Sequence, residues 1–174
     1  MHGGLLRAFA RHLGDRGSFT IADLADIPLY DADIDGPTQP AAVVRLKQQM
    51  RSADLLVIAS PEYNGSISGV LKNAIDWASR PYGTNSFARK PSAVIGASPG
   101  AIGTAVAQQS LRSVLGFSNS PQMNAPEAYI QFTPGLITDD GKVTVESTEQ
   151  FLRKYMQEFH DFTARVLSVL PKDA

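Results

Sequence analysis

Leu55-Leu56-Val57-Ile58-Ala59 is an unbroken apolar run with no alternation of polar and apolar positions, and it narrows the possible folds more than any other segment. A strand with one face in water alternates, whereas a strand apolar at every position is covered on both faces and belongs to a parallel sheet with helices above and below. Ala93-Val94-Ile95-Gly96-Ala97 repeats the pattern. Around these runs the apolar residues change to helical spacing. Leu5, Leu6, Phe9, Ala10 and Leu13 predict a short amphipathic helix that stops at Gly14, and Val43, Val44, Lys47 and Met50 predict a second. Ser68 is an N-cap candidate ahead of Val70, Leu71, Ala74, Ile75 and Ala78. A further helix is expected over about 103–115, and Phe151, Leu152, Tyr155, Phe159, Phe162, Val166 and Leu170 mark the clearest one. Short strands are expected at 18–22 and around Met123, with an irregular segment at 26–31. Strands alternating with helices imply right-handed βαβ units and an open parallel sheet, so the fold class is α/β.

No repeat, low-complexity tract or linker divides the 174 residues, which read as a single domain, 1–174. Sixteen basic and 17 acidic side chains leave a net charge of −1, so no general attraction to nucleic acid or to an anionic membrane surface is expected. There is no cysteine, which excludes thiol chemistry, and His2, His12 and His160 are too few and too scattered to suggest a metal cluster. No apolar run approaches the roughly 20 residues of a membrane helix, and a signal peptide's basic start is absent. The expectation is a soluble, cytoplasmic protein.

In open parallel sheets ligands bind beyond the carboxyl ends of the strands. Two loops leave buried strands directly: Ser60-Pro61-Glu62-Tyr63-Asn64-Gly65-Ser66-Ile67-Ser68, and Ser98-Pro99-Gly100-Ala101-Ile102-Gly103. Both are built of residues that let backbone approach a ligand, with Asn64-Gly65 suited to positive φ. A flat, electron-poor ring needs backbone N–H and C=O groups at its polar edge and an apolar wall. Such a cofactor carries its own redox chemistry, so no protein nucleophile is required. Residues 96–103 lack the lysine of a phosphate-binding loop and the glycine spacing of a dinucleotide fingerprint.

Pro61-Glu62-Tyr63-Asn64, then Ser68-Gly69 and Leu71-Lys72-Asn73-Ala74-Ile75-Asp76-Trp77, resembles the signature of the NADPH-dependent FMN reductase family, nearest its chromate- and quinone-reducing members. The 26–31 stretch, Ser98-Pro99-Gly100, Leu111-Arg112 and Pro126-Glu127 fall in the family's order, so the similarity spans essentially the whole chain. The resemblance implies a flavodoxin-like sheet binding FMN. Pro61, Glu62, Tyr63, Asn64 and Gly65 would line the isoalloxazine ring, with Ser98 and Gly100 on its far side. It implies a homodimer or homotetramer with the flavin near a subunit interface, and ping-pong hydride transfer from NAD(P)H to flavin, then to a small-molecule acceptor such as a quinone, chromate, an azo compound or free flavin.

Family members begin with a strand and a Gly-Ser-x-Arg-x-x-Ser loop holding the FMN phosphate. Met1-His2-Gly3-Gly4 carries neither. The expectation is that Met1 lies downstream of the functional start, by on the order of 10–15 residues, about one strand and its turn. Otherwise the helix N-terminus at Gly3-Gly4 is left to attract the phosphate. Several side chains carry two readings. Tyr63 is a ring contact or a packed aromatic, and Glu62 lines the ring or caps the turn that follows it through its charge at a helix N-terminus. Arg112 and Glu127 form a pair between subunits, or Arg112 attracts an anionic acceptor or the NADPH phosphate. Lys72, Asn73 and Asp76 are expected to serve helix geometry and subunit contacts rather than chemistry, and Trp77 the core or an interface rather than a cofactor stack. Beside the reductase stand two rival functions: an FMN-binding electron carrier that does not turn over pyridine nucleotide, and a flavin-free scaffold.

Overall fold

The computed structural model describes residues 1–170. Helix α1 (His2–Leu13) buries Leu5, Ala8, Phe9 and Leu13 along one stripe and stops where the sequence predicts. Gly14 follows at φ 55°, a backbone conformation open to glycine and costly for residues with a β-carbon. Then come α2 (Ala41–Ser52), β1 (Leu56–Ala59), α3 (Gly69–Ala78), β2 (Ser92–Ser98), α4 (Ala105–Phe117), β3 (Ala128–Gln131) and α5 (Glu146–Val169).

The strands form one open parallel sheet in the order β1-β2-β3. Leu56 lies opposite Ser92 and Ala59 opposite Ile95, while Ile95 and Ser98 face Ala128 and Gln131 on the other side. Alternate residues of β2 feed two cores. Ala93, Ile95 and Ala97 pack with Leu5 and Phe9 of α1 and Leu152, Tyr155 and Phe159 of α5. Val94 packs with Leu46 and Met50 of α2, Ala74 and Ile75 of α3, and Ala107, Leu111 and Leu115 of α4. Each large apolar side chain fully buried in this way contributes about 1.5–3 kcal/mol. The α/β, flavodoxin-like class expected from the two apolar runs is the class observed, with helices on both faces of the sheet.

Three local expectations are corrected. Residues 18–22 form no strand. A strand exists through its ladder, and among the described residues β1 is bonded only to β2, leaving 18–22 no strand to pair with. Phe19, Ala22 and Leu24 instead rest half-buried against the two cores. Second, Met123 is a core residue outside the strands: its N–H reaches Ser92 O at 2.9 Å, beside one isolated bridge at Gln122. The ladder lapses after Met123, across Asn124 to Glu127 where Pro126 has no N–H to offer, and resumes as β3. Third, β1 is half-buried throughout whereas β2 is buried from Ser92 to Ala97, because β1 lies at the sheet's edge.

Candidate functional site

Both predicted loops emerge at the carboxyl end of the sheet, from adjacent strands. Ser60 N donates to Ile95 O at 3.2 Å, carrying the β1–β2 ladder one residue into the first loop. The Ser60 hydroxyl donates to Pro61 O (2.8 Å) and accepts from Ser68 N (3.3 Å), so it ties the two ends of that loop together. Between them the chain folds into a tight hairpin: Tyr63 and Ser66 exchange both backbone hydrogen bonds at 3.0 Å. Asn64 and Gly65 take φ of 53° and 70°, the sign that both central residues of a two-residue type I′ turn require. Buried Ile67 anchors the far side, and the Ser68 hydroxyl accepts from Leu71 N at 3.3 Å, capping α3 as expected. The hairpin lifts Tyr63 into solvent, 62% exposed.

The second loop is held as firmly. Ser98 Oγ accepts from Gly100 N at 3.2 Å, and Gly103 N donates to Gly100 O at 3.0 Å. Gly103, at φ 60°, passes so near β3 that a β-carbon would come 2.9 Å from the carbonyl carbon of Tyr129. From beyond β3, Phe132 N reaches Ser98 O at 2.8 Å. Thus Pro61, Glu62, Tyr63, Asn64 and Gly65 stand on one loop, and Ser98 and Gly100 on its neighbour. Glu62, however, turns toward α4, where its Oε2 accepts from Ala107 N at 3.0 Å.

His2 was not singled out from the sequence, and a lone histidine near the start of a helix carries no signal that could have done so. It lies at the same end of the sheet. Its Nε2 accepts from Ala97 N at 3.4 Å, and burial, followed by the charge of the nearby chain terminus, lowers its pKa. The first turn of α1 is thereby fixed beside the two loops.

Arg112 and Glu127 make their hydrogen bonds with residues outside this group. Arg112 lies seven residues into α4, about 10 Å along the helix from Ala105. Its Nη1 donates to Met123 O and Asn124 Oδ1 at 3.1 Å each, while Nε and Nη2 are buried without a partner among the described residues. Glu127 instead accepts from the Tyr129 hydroxyl at 2.6 Å and from Gln109 Nε2 at 3.4 Å. Burial first, then the bond to Glu127, raises the Tyr129 pKa. On α3, Lys72 and Asp76 pair at 2.7 Å. Asn73 and Trp77 both donate to Pro28 O at 2.8 Å, fastening the 26–31 segment to the helix.

The two loops present backbone groups and a raised tyrosine rather than a nucleophile or a charged catalytic pair, an arrangement suited to holding a planar group that brings its own reactivity. A family model described as NADPH-dependent FMN reductase matches residues 2–135. The chain is 44% identical over 142 residues to a 2-hydroxy-1,4-benzoquinone reductase of a Burkholderia species, covering 82% of this chain and 77% of that protein. It is 41% identical over 152 residues to a quinone reductase of Escherichia coli K12, covering 84% and 78%. Among solved structures, FerB from Paracoccus denitrificans, a flavoenzyme NAD(P)H:(acceptor) oxidoreductase, superposes with a TM-score of 0.88 at 39% identity, covering 95% of this chain and 90% of that one.

Proposed function

Since the chain belongs to the NADPH-dependent FMN reductase family and is an oxidoreductase, we propose that it transfers electrons from NAD(P)H through FMN to quinones or related small acceptors, with FMN held between the 61–68 and 98–104 loops. The observation that carries the reading is the pairing of these two loops at the carboxyl ends of adjacent parallel strands. The residues present fit a flavin. A β-carbon on Gly65 or Gly100 would meet nothing closer than 3.5 Å, so backbone stays accessible on both loops. The exposed Tyr63 ring offers an apolar wall. Pro61, Tyr63, Asn64 and Gly65 would hold one side of the ring system, Ser98 and Gly100 the other. The first turn of α1, whose N–H groups have no side-chain cap, supports phosphate binding at the same end.

When bound, FMN supplies the capacity to accept a hydride and pass on its electrons. The protein's part is to orient the ring, present backbone donors at its edge, and leave one face open to each partner in turn, for which ping-pong kinetics are expected. Chromate, azo compounds and free flavin fall within the same acceptor class. Exposed Tyr63, Val70, Ile102 and Val106 on the two loops and the helices they enter support a homodimer or homotetramer with the site at its margin. Among the described residues no helix is long and apolar enough to cross a membrane, and dependence on NAD(P)H accords with a cytoplasmic enzyme.

The test is the visible spectrum of the purified protein titrated with FMN, followed by anaerobic NADPH. Perturbed flavin bands that bleach on adding NADPH are expected. Bands that form and fail to bleach would indicate an electron carrier, and absence of any binding would overturn the reading.

A further inference from the structure

The first turn of an α-helix leaves N–H groups that need acceptors from outside the helix. At the start of α4 the N-cap residue, Thr104, makes no side-chain cap bond. Its hydroxyl faces inward and accepts from Gln108 Nε2 at 2.9 Å, while Gln108 also donates to Ala128 O at 2.8 Å. The free N–H of Ala107 is met instead by Glu62 Oε2 at 3.0 Å, from 45 residues earlier in the chain. A carboxylate is favoured there by the partial positive charge of the helix end, and its hydrogen bond is charge-assisted.

This bond joins the two candidate loops. Residues 98–104 run straight into α4, and Glu62 belongs to the loop after β1, so one hydrogen bond spans from one to the other. Further contacts continue along the same helix: Ser66 Oγ stands 3.2 Å from Ser110 Oγ, and a β-carbon on Gly65 would lie 3.9 Å from a Val106 methyl. The hairpin that raises Tyr63 is therefore braced on α4 from both its arms, through Glu62 and through Ser66. We infer that Glu62 is a positioning residue: its carboxylate uses the start of α4 as a strut that sets the separation and relative tilt of the two loops, and it does not itself bind the flavin. This rests on the FMN reading of the site and adds to it what fixes the width of the slot.

The experiment compares Glu62→Gln and Glu62→Ala with the wild-type chain. Amide exchange of the flavin-free protein reads the strut directly: Ala107 N–H and residues 63–66 should stay protected in Glu62→Gln, whose amide oxygen still accepts, and exchange faster in Glu62→Ala. In the presence of FMN, Glu62→Gln should keep its Kd and kcat within about threefold. Glu62→Ala should lose about tenfold or more in each, with shifted flavin bands even at saturation, because a misplaced loop misorients the ring. Equal impairment of both variants while Ala107 N–H stays protected in Glu62→Gln would mean that the charge acts on the ligand and not through the strut, and would overturn the inference. So would unchanged exchange and unchanged spectra in Glu62→Ala. If the wild type binds no FMN, the site reading fails, while the exchange data still decide whether Glu62 braces the loop.

Discussion

Thr104 occupies the space that a side chain on Gly96 would need: a β-carbon there would approach Thr104 Oγ1 to 2.1 Å and Ser60 O to 2.6 Å. The bare backbone of β2 lets the start of α4 and the end of β1 close over it, which brings the roots of both loops together. Gly96→Ala should force these elements apart at a cost of about 1–3 kcal/mol. The expected result is a lower urea midpoint with an unchanged m-value, together with weaker FMN binding. A midpoint equal to wild type would show that the approach relaxes without cost.

Tyr63 contributes little to the folded core, being largely exposed at the tip of its turn. Tyr63→Ala should therefore alter stability by no more than about 0.5 kcal/mol. If its ring forms part of the flavin wall, the same variant loses about 1 kcal/mol or more of FMN binding, on the scale of an aromatic contact. Paired melting curves and flavin titrations separate the two effects, and loss of stability without loss of affinity would assign Tyr63 to packing.

His2 gives the fold an acid-sensitive component. Burial first, and the terminal ammonium second, hold its pKa below the ordinary 6.5, and only a neutral ring can accept from Ala97 N at Nε2. A base whose folded pKa is depressed contributes stability that is present above the unfolded value and lost as pH falls through it. Urea midpoints should thus decline as pH drops below about 6.5. His2→Asn, which keeps an acceptor and removes the titration, should flatten that decline; an equal decline in both proteins would place its cause elsewhere.

Arg112 carries two buried guanidinium nitrogens with no partner among the described residues, against two hydrogen bonds from Nη1. Replacing a poorly compensated buried cation by an apolar side chain of similar length is often neutral or stabilising. Arg112→Met is expected to change stability by less than about 1.5 kcal/mol. Its distance from the first turn of α4 predicts a KM for NAD(P)H within about threefold of wild type. A large rise in KM would instead give Arg112 the anion-attracting role.

What could be read in advance follows from how local each signal is. The runs at 55–59 and 93–97 announced buried parallel strands because covering both faces leaves no polar position. Ser68 and Gly14 marked helix ends through chemistry confined to one turn. The two loops were legible for the same reason, since Pro61, Asn64-Gly65 and Ser98-Pro99-Gly100 encode their own backbone. Segment 18–22 failed because a strand is a relation between two pieces of chain, and no residue within it reports whether a partner is there. Met123 misled because an apolar residue bound for the core carries the same signal whether or not its segment joins the ladder beyond a single bridge. The reach of Glu62 to Ala107 and the contact of His2 with Ala97 are products of the assembled sheet and leave no trace in local pattern.

Leu56-Val57-Ile58-Ala59 is apolar at every position and carries none of the lysines, prolines or bulges with which sheet margins are usually guarded. Among the described residues no strand pairs with the other edge of β1, while its side chains pack against both cores. An extended segment laid along that edge would lengthen the sheet, and a second copy of the chain could pair there at high concentration.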